Sequence, residues 1–190
     1  MSINRSIPNE DEYYANSMWQ LKNKLHTHER RKYKMNIGNL FLWGFAATLI
    51  LTTLMAISKP LNLTRIDLPF MLGTLFTSNR NKAPWIGFLV HLVIGWIFAF
   101  IYGATFESSG LDTWWFGMAI GFVHGSFVLT VGLSILTYCH PRMASPYQGP
   151  TPTRQLEPPG FLALNYGKGT PLVTLLAHLV YGIVLGIFYV

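Results

Sequence analysis

The sequence has few charged residues for its length. Charged side chains make up 12% of the 190 residues, against 51% hydrophobic and 15% aromatic residues, whereas a soluble domain usually contains about 25% charged residues. A water-soluble fold of this composition would be poorly solvated. The deficit excludes an ordinary soluble domain and indicates a protein that lies in a lipid bilayer.

Cysteine is almost absent as well, and acidic residues are scarce. The single cysteine, Cys139, excludes an internal disulfide. Fourteen Lys and Arg residues stand against eight Asp and Glu residues. The basic residues lie in flanks and loops rather than on one continuous surface, so we interpret them as topology signals and lipid-headgroup contacts. No nucleic-acid partner is expected.

The apolar residues are concentrated in four long runs without Asp, Glu, Lys or Arg, at about 36–58, 85–106, 114–138 and 171–190. About 20 residues of helix cross the hydrocarbon of a bilayer, and open strands cannot cross it because their backbone groups would stay unpaired. We therefore predict an all-α membrane protein with four transmembrane helices in residues 35–190. Residues 1–34 form a polar segment, which is too long and polar to be a signal peptide.

The polar segment ends in a compact basic cluster, Arg30, Arg31, Lys32 and Lys34. Residues 16–34 predict either a surface helix, because Trp19 and Leu21 offer apolar area beside basic side chains, or a solvated tail. Loop one, between the first two runs, and loop three, between the last two, together carry seven basic residues, as many as residues 1–34 carry. The cluster next to the first span usually dominates, so we predict that both termini are cytoplasmic.

An internal repeat links the second and fourth runs. HLVIG begins at His91 and is followed by Tyr102, and HLVYG begins at His178 and is followed by Tyr189 at the same offset. The segment LPFMLG from Leu68 occupies the place of PGFLA from Pro159. Because the connection around residues 107–112 also requires an antiparallel turn, the repeat predicts two tandem helical hairpins in the same orientation.

These motifs resemble an uncharacterised bacterial family of small four-span membrane proteins, a domain of unknown function. The resemblance rests on IDLPFMLG from Ile66, VHLVIG from Val90 with Ile101-Tyr102, and HLVYG from His178, and it covers roughly residues 36–190. It implies the four-span topology and a bacterial inner membrane. Because the family has no established activity, the resemblance implies no function.

Small residues recur four positions apart in three of the runs. This spacing keeps side chains on one helix face, where small residues let helix backbones approach closely in lipid. The predicted packing positions are Gly87, Gly95, Gly103, Gly117, Gly121, Gly125, Gly182 and Gly186.

Three histidines lie on or near the same faces, namely His91, His124 and His178. An ionisable residue inside a span is a functional-site hypothesis by default. These residues are candidate ligands of a transition metal, a haem or a chlorophyll-type pigment. Alternatively, each neutral ring donates to a carbonyl or to a Thr on the next helix and holds helices together, with no cofactor bound. Passage of protons or ions is a third interpretation.

A second candidate set lies at the membrane face of loops one and three. Cys139, His140 and Asp67 offer thiolate, imidazole and carboxylate groups, and the first two suit zinc, copper or iron. Alternatively, Cys139 and His140 bind no metal and are simply the end of the third helix, which Pro141 stops. No CxxC, HExxH or CxxCH motif is present.

The functional expectation is a non-catalytic accessory subunit of a larger membrane complex of respiratory or photosynthetic type. Loop three, residues 139–170, is rich in proline and offers an extended backbone to a neighbouring membrane subunit. The alternatives are a histidine-ligated cofactor protein and a small ion or solute pore. Active transport is disfavoured because the spans contain no acidic or basic residue.

Overall fold

The protein is represented by a computed structural model, which describes residues 10–32, 35–144, 149–154 and 156–189. The side chains of the predicted basic cluster at residues 30–34, and Pro146 of loop three, lie outside the described residues. The chain divides into two compact units, Met1–Met35 and Asn36–Val190.

The first unit contains one helix, α1 (Glu10–Lys32). It begins earlier than the predicted surface helix because Glu10, Asp11 and Glu12 occupy its first turn, where negative charge stabilises the helix dipole. Its apolar side chains Tyr14, Met18, Leu21 and Leu25 are all exposed.

The second unit contains the four spans. They are α2 (Ile37–Ser58), α4 (Ala83–Ser109), the third span (Trp114–Cys139) and α7 (Thr170–Phe188), and a short helix α3 (Leu68–Gly73) precedes α4. The third span consists of α5 (Trp114–Phe127), a π-helix (Val128–Gly132) and α6 (Leu133–Cys139). All four are long and apolar enough to cross a bilayer, with mean hydropathies of 1.9 to 2.1. The prediction of an all-α, four-span integral membrane protein is confirmed.

Local residues account for the ends of the spans. The Asn36 side chain accepts from the Asn39 N–H at 3.1 Å and caps α2, and Pro84 lies in the first turn of α4, where its missing N–H is not needed. At the other end of α4, Gly110 has φ 66°, a left-handed conformation that favours glycine. α4 is consequently longer at both ends than the uncharged run.

The helices pack as two hairpins, α2 with α4 and the third span with α7. In the first hairpin Gly95 lies against Thr48 of α2. In the second, Gly117 lies against Gly182. α2 and α7 join the hairpins, and there the Trp43 and Phe188 rings stack with centroids 4.0 Å apart.

All eight predicted packing glycines lie at contacts between helices. A methyl group at any of them would overlap or press on a neighbouring helix. The neighbour is α3 for Gly87, α2 for Gly95 and Gly103, and α7 for Gly117, Gly121 and Gly125. For Gly182 it is α5, and for Gly186 it is the start of α5 with its N-cap residue Thr113. Close approach in lipid is therefore the role of these glycines in the structure.

α4 and the third span follow each other along the chain, yet their backbones do not pack closely. They meet through side chains, with the Phe98 ring stacked on His124 at 3.6 Å and Phe106 6.1 Å from Phe116. In the repeat, a contact between α4 and α5 would correspond to the contact between α7 and α2. The interface between α2 and α7 is tight, whereas that between α4 and α5 is open, so the packing does not follow the symmetry of the sequence repeat.

Loops one and three fold onto each other at one end of the bundle. The Thr64 and Thr170 hydroxyls are 2.6 Å apart, and the Arg65 N–H donates to the Tyr166 carbonyl at 2.7 Å. Loop three also contains a short helical segment (Phe161–Tyr166) that is kinked at Leu162 and Ala163, where the backbone is left-handed. The described part of the proline-rich loop thus packs on loop one of its own chain.

Candidate functional site

A cavity of about 460 Å³ lies where α4 and the third span separate. Its walls are mostly aliphatic and aromatic side chains from all four spans and from the α3 region. The polar groups on its surface are few, and the three predicted histidines are among them: His91, His124 and His178. The volume is in the range of small-molecule sites in proteins.

The cavity opens sideways. Phe127 and Ile135 of the third span line it and are also exposed on the outside of the bundle, as is Phe76 of loop one. Both third-span residues lie in a segment that crosses the bilayer. The opening therefore faces the lipid between α4 and the third span.

The π-helix of the third span forms part of the wall. Val128 and Gly132, its first and last residues, both line the cavity. Gly132 has no atom within 3.4 Å of the position that a β-carbon would take, so its surroundings are open. Single π-helical turns inside α-helices are frequent at functional sites, and this one coincides with the opening.

The His91 ring is held by the neighbouring helix α2. Its Nδ1 lies 2.9 Å from the Thr52 hydroxyl, which donates in turn to the Thr48 carbonyl at 2.7 Å. The side chain is 8% exposed. The contact with a threonine on the next helix is one of those anticipated for a histidine that joins helices.

The His178 ring is held by its own helix. Its Nδ1 donates to the Thr174 carbonyl at 2.7 Å, and the side chain is 5% exposed. Although His91 and His178 are equivalent in the repeat, their Nδ1 atoms therefore have different partners. Thr174 also lines the cavity, and its buried hydroxyl has no hydrogen-bond partner in the described structure.

His124 is surrounded by aromatic rings near the middle of the third span. Its Nδ1 lies 3.4 Å from the Tyr102 hydroxyl, and its ring centroid is 4.6 Å from that of His178 in an edge-on arrangement. Nearby, the Tyr181 hydroxyl donates to the Gly95 carbonyl at 2.6 Å. The three histidines are thus brought to one cavity, and two of their rings are in contact.

The chemistry of this site is hydrogen bonding in apolar surroundings. Among the residues described, no group of three His, Cys, Asp or Glu side chains is placed so that it could hold one metal ion. Ligation of a haem or pigment by these histidines stays a prediction.

The predicted metal set at the loop face is not assembled. Asp67 accepts from the Phe70 N–H at 3.0 Å as the cap of α3 and forms an ion pair with Lys59. Cys139 is exposed at the end of the third span. His140 uses both ring nitrogens within the loops, so these three residues do not share a ligand position in the described structure.

His140 connects loop one to loop three. Its Nε2 donates to the Met71 carbonyl at 3.0 Å, and its Nδ1 accepts from the Arg142 N–H at 3.1 Å. Burial lowers the pKa of His140, and the Arg142 charge lowers it further, against the opposing effect of the Met71 bond. The imidazole is therefore kept neutral and serves as a structural link.

Several residues in or beside the cavity wall are not apparent as site residues in the sequence. Thr52 and Phe98 carry no local signal that pairs them with a histidine, because the pairing depends on how α2 and α5 each dock against α4. Thr174 does carry one, since it precedes His178 by four residues and lies on the same helix face. Gly132 does not continue the four-residue spacing of Gly117, Gly121 and Gly125, and it is the last residue of the π-helix.

Comparison with known proteins finds no matching family model, no similar curated protein and no similar solved structure. The resemblance to the four-span bacterial family stays a prediction.

Proposed function

We propose that the protein is a non-catalytic integral membrane protein that binds an apolar molecule from the bilayer. The observation that carries this proposal is the cavity of about 460 Å³, which is walled by apolar side chains, open toward lipid and supplied with a few polar groups inside. A molecule that moves sideways from the bilayer enters it without crossing water. The few polar groups would fix its orientation, as in small-molecule sites generally.

A binding role fits the cavity better than catalysis does. No Ser, Asp, Glu, Lys or Arg is among the residues described as lining it, so the histidines have no charged partner there. Cys139 lines the cavity at the end of the third span, where it is exposed. Catalysis by general acid and base requires such partners within hydrogen-bond reach of a reacting group.

The test fills the cavity and asks whether a bound molecule is lost. Gly132→Leu places a side chain into open space at the cavity wall, whereas Gly38→Leu makes the same change at an exposed position in the first turn of α2. Protein extracted gently from native membrane is analysed by native mass spectrometry. We expect one retained lipophilic molecule in the wild type and in Gly38→Leu, and its loss in Gly132→Leu.

Two results would overturn this proposal. One is wild-type protein that carries no small molecule beyond randomly attached bulk lipid. The other is equal retention by the two glycine variants, because the bound molecule would then lie outside the cavity.

A pore receives less support. Between the cavity and the short turn after α4, the space among the spans contains packed aromatic rings, with Tyr102 5.5 Å from Tyr181 and Phe106 5.4 Å from Tyr189. A hydrated path would have to displace these rings.

A second candidate role, the accessory subunit of a respiratory or photosynthetic type complex, is favoured by the tip of loop three. Phe161 is 76% exposed there and is followed by Leu162 and Ala163 with φ 52° and 60°, a conformation that costs L-residues about 1–3 kcal/mol each. The Asn165 amide donates to the Pro158 carbonyl at 2.9 Å and helps to hold this turn. A strained turn that presents an aromatic ring suits contact with another membrane subunit.

Copurification from native membrane tests this role. Phe161→Ser should reduce the yield of a stoichiometric partner severalfold, and Leu111→Ser, an exposed apolar change in the short turn between α4 and α5, should not. Equal yields with both variants, or a wild-type protein that purifies without a partner, would count against it.

For orientation we propose a bacterial inner membrane with both termini cytoplasmic. Four spans place the two ends of the unit on one side. Three of the seven basic residues of loops one and three, which would favour the opposite orientation, have structural partners: Lys59 pairs with Asp67, Arg65 lies 3.4 Å from Glu157, and Arg142 donates to the Thr74 carbonyl.

A further inference from the structure

We infer that the ligand of this cavity carries a hydroxyl group, which donates a hydrogen bond to the Nε2 atom of His91 or His178. This inference rests on the proposed binding function and adds the chemical class of the ligand. It follows from the protonation of the two rings and from one unpaired hydroxyl beside them.

The protonation of His178 follows from its partner. A backbone carbonyl can only accept, so the 2.7 Å bond to the Thr174 carbonyl requires the proton on Nδ1. In a neutral imidazole the other nitrogen, Nε2, then has a free lone pair and acts as an acceptor.

The protonation of His91 follows from a chain of two bonds. The Thr52 hydroxyl has one proton, which it donates to the Thr48 carbonyl at 2.7 Å. His91 Nδ1 must therefore be the donor in its 2.9 Å contact with the Thr52 oxygen. The Nε2 atom of His91 is left as an acceptor, as in His178.

Both rings are neutral by the same physical argument. No acidic side chain is among the described residues that line the cavity, and an unpaired imidazolium in apolar surroundings is strongly disfavoured. Both side chains are more than nine-tenths buried, and the described structure provides neither Nε2 with a hydrogen-bond partner. The cavity thus presents two acceptors that a bound molecule can satisfy.

The third polar group is the Thr174 hydroxyl. It is buried, belongs to a residue that lines the cavity, and has no hydrogen-bond partner in the part of the chain that is described. A ligand hydroxyl can donate to a histidine Nε2 and accept from Thr174. A ketone, quinone or ester oxygen can only accept, so it would leave both histidine acceptors unpaired.

The experiment compares two probes that differ in this donor alone. 4-Hexylphenol and 4-hexylanisole have the same ring and chain, but the anisole has a methyl group in place of the phenolic proton. Each is titrated into the full-length protein in detergent micelles, and binding is followed by saturation-transfer NMR. The phenol should bind roughly threefold to tenfold more tightly, the ratio that one net hydrogen bond provides.

The possible failures can be told apart. If neither probe binds better to the wild type than to Gly132→Leu, the proposed binding function fails. If both probes bind equally to the wild type and both are weakened by Gly132→Leu, the cavity binds apolar molecules but the hydroxyl inference is overturned.

A second measurement needs no variant that changes the cavity. In protein labelled with 15N-histidine, NMR distinguishes protonated from unprotonated ring nitrogens. Two of the six histidines should have an unprotonated Nε2, and one of these two Nε2 resonances should shift when 4-hexylphenol is added and should not shift with 4-hexylanisole. Unprotonated Nδ1 in the responding rings, or equal shifts with both probes, would contradict the inference.

Discussion

Gly117 and Gly182 face each other across the contact between α5 and α7, so closely that a β-carbon on either residue would overlap the carbonyl oxygen of the other. Each position therefore requires glycine, because the backbone carbonyl of the other residue leaves no room for a β-carbon. The contact lies in the hairpin formed by the third span and α7, on one side of the cavity.

Gly117→Ala should destabilise the protein. The added methyl group would meet the backbone of Gly182, which cannot move aside as a side chain does, and overpacking of this kind usually costs about 1–3 kcal/mol. Gly38→Ala is the matched control, because the nearest atom to its β-carbon would be Asn36 Oδ1 at an ordinary contact distance of 3.6 Å and alanine is favoured over glycine in a helix by up to about 1 kcal/mol. Unfolding in micelles should show opposite signs for the two variants. Equal effects would contradict the proposed contact.

His140 should make the stability depend on pH. Its pKa lies below the ordinary 6.5 because the ring is buried, so below pH 6.5 the unfolded chain takes up a proton that the folded protein resists. The free energy of unfolding then decreases as the pH falls from 6.5 toward the lowered pKa, by up to about 1.4 kcal/mol per pH unit. Above pH 6.5 this contribution is fully present.

Unfolding measured at pH 7.5 and 5.5 tests this dependence. His140→Gln retains a side-chain donor for the Met71 carbonyl but does not titrate, so its loss of stability between the two pH values should be smaller than that of the wild type. The other histidines are common to both proteins and cancel in the comparison. An identical loss in both would show that His140 does not contribute.

The sequence predicts the four spans because charged residues are absent from them, and the glycine faces because their spacing matches the helix. The histidine repeat also places His91 and His178 on inward faces. Short boundary elements are harder to recognise. Helix α3 lies between the first two spans, where the hydropathy pattern predicts a loop, although Asp67 followed by Leu68 and Pro69 is a typical capped helix start.

The cavity itself is not predictable from these patterns. A repeat with two equivalent hairpins predicts equivalent interfaces, whereas α2 packs on α7 and α4 remains apart from α5. The open interface contains the π-helix at Val128–Gly132 and large rings such as Phe98, whose placement depends on tertiary packing. The residues of the predicted metal set, Asp67, Cys139 and His140, are not brought together in the described structure, and His140 joins the loops instead.

Tyr189 should stabilise the end of the bundle opposite loops one and three. Its hydroxyl donates to Glu107 Oε1 at 2.6 Å, and the second oxygen, Oε2, is buried without a partner among the described residues. Tyr189→Phe would leave both oxygens unpaired and should cost about 1–3 kcal/mol. Glu107→Gln keeps an acceptor for Tyr189 and should cost less. Thermal unfolding in micelles measures both variants, and an inverted order would contradict this role.

Cys139 provides a test of orientation in the native sequence. It is the single cysteine, it is exposed, and it ends the third span at the face of loops one and three. If both termini are cytoplasmic, this face is outside the cytoplasm. A membrane-impermeant maleimide should then label Cys139 in intact spheroplasts at the rate seen in lysed membranes. The cysteine-free variant Cys139→Ser measures background labelling. Ser2→Cys in that variant places a single cysteine at the N-terminus, which should react only after lysis. Labelling of Ser2→Cys, but not of Cys139, in intact spheroplasts would reverse the topology and would assign the basic residues of loops one and three to the cytoplasmic side.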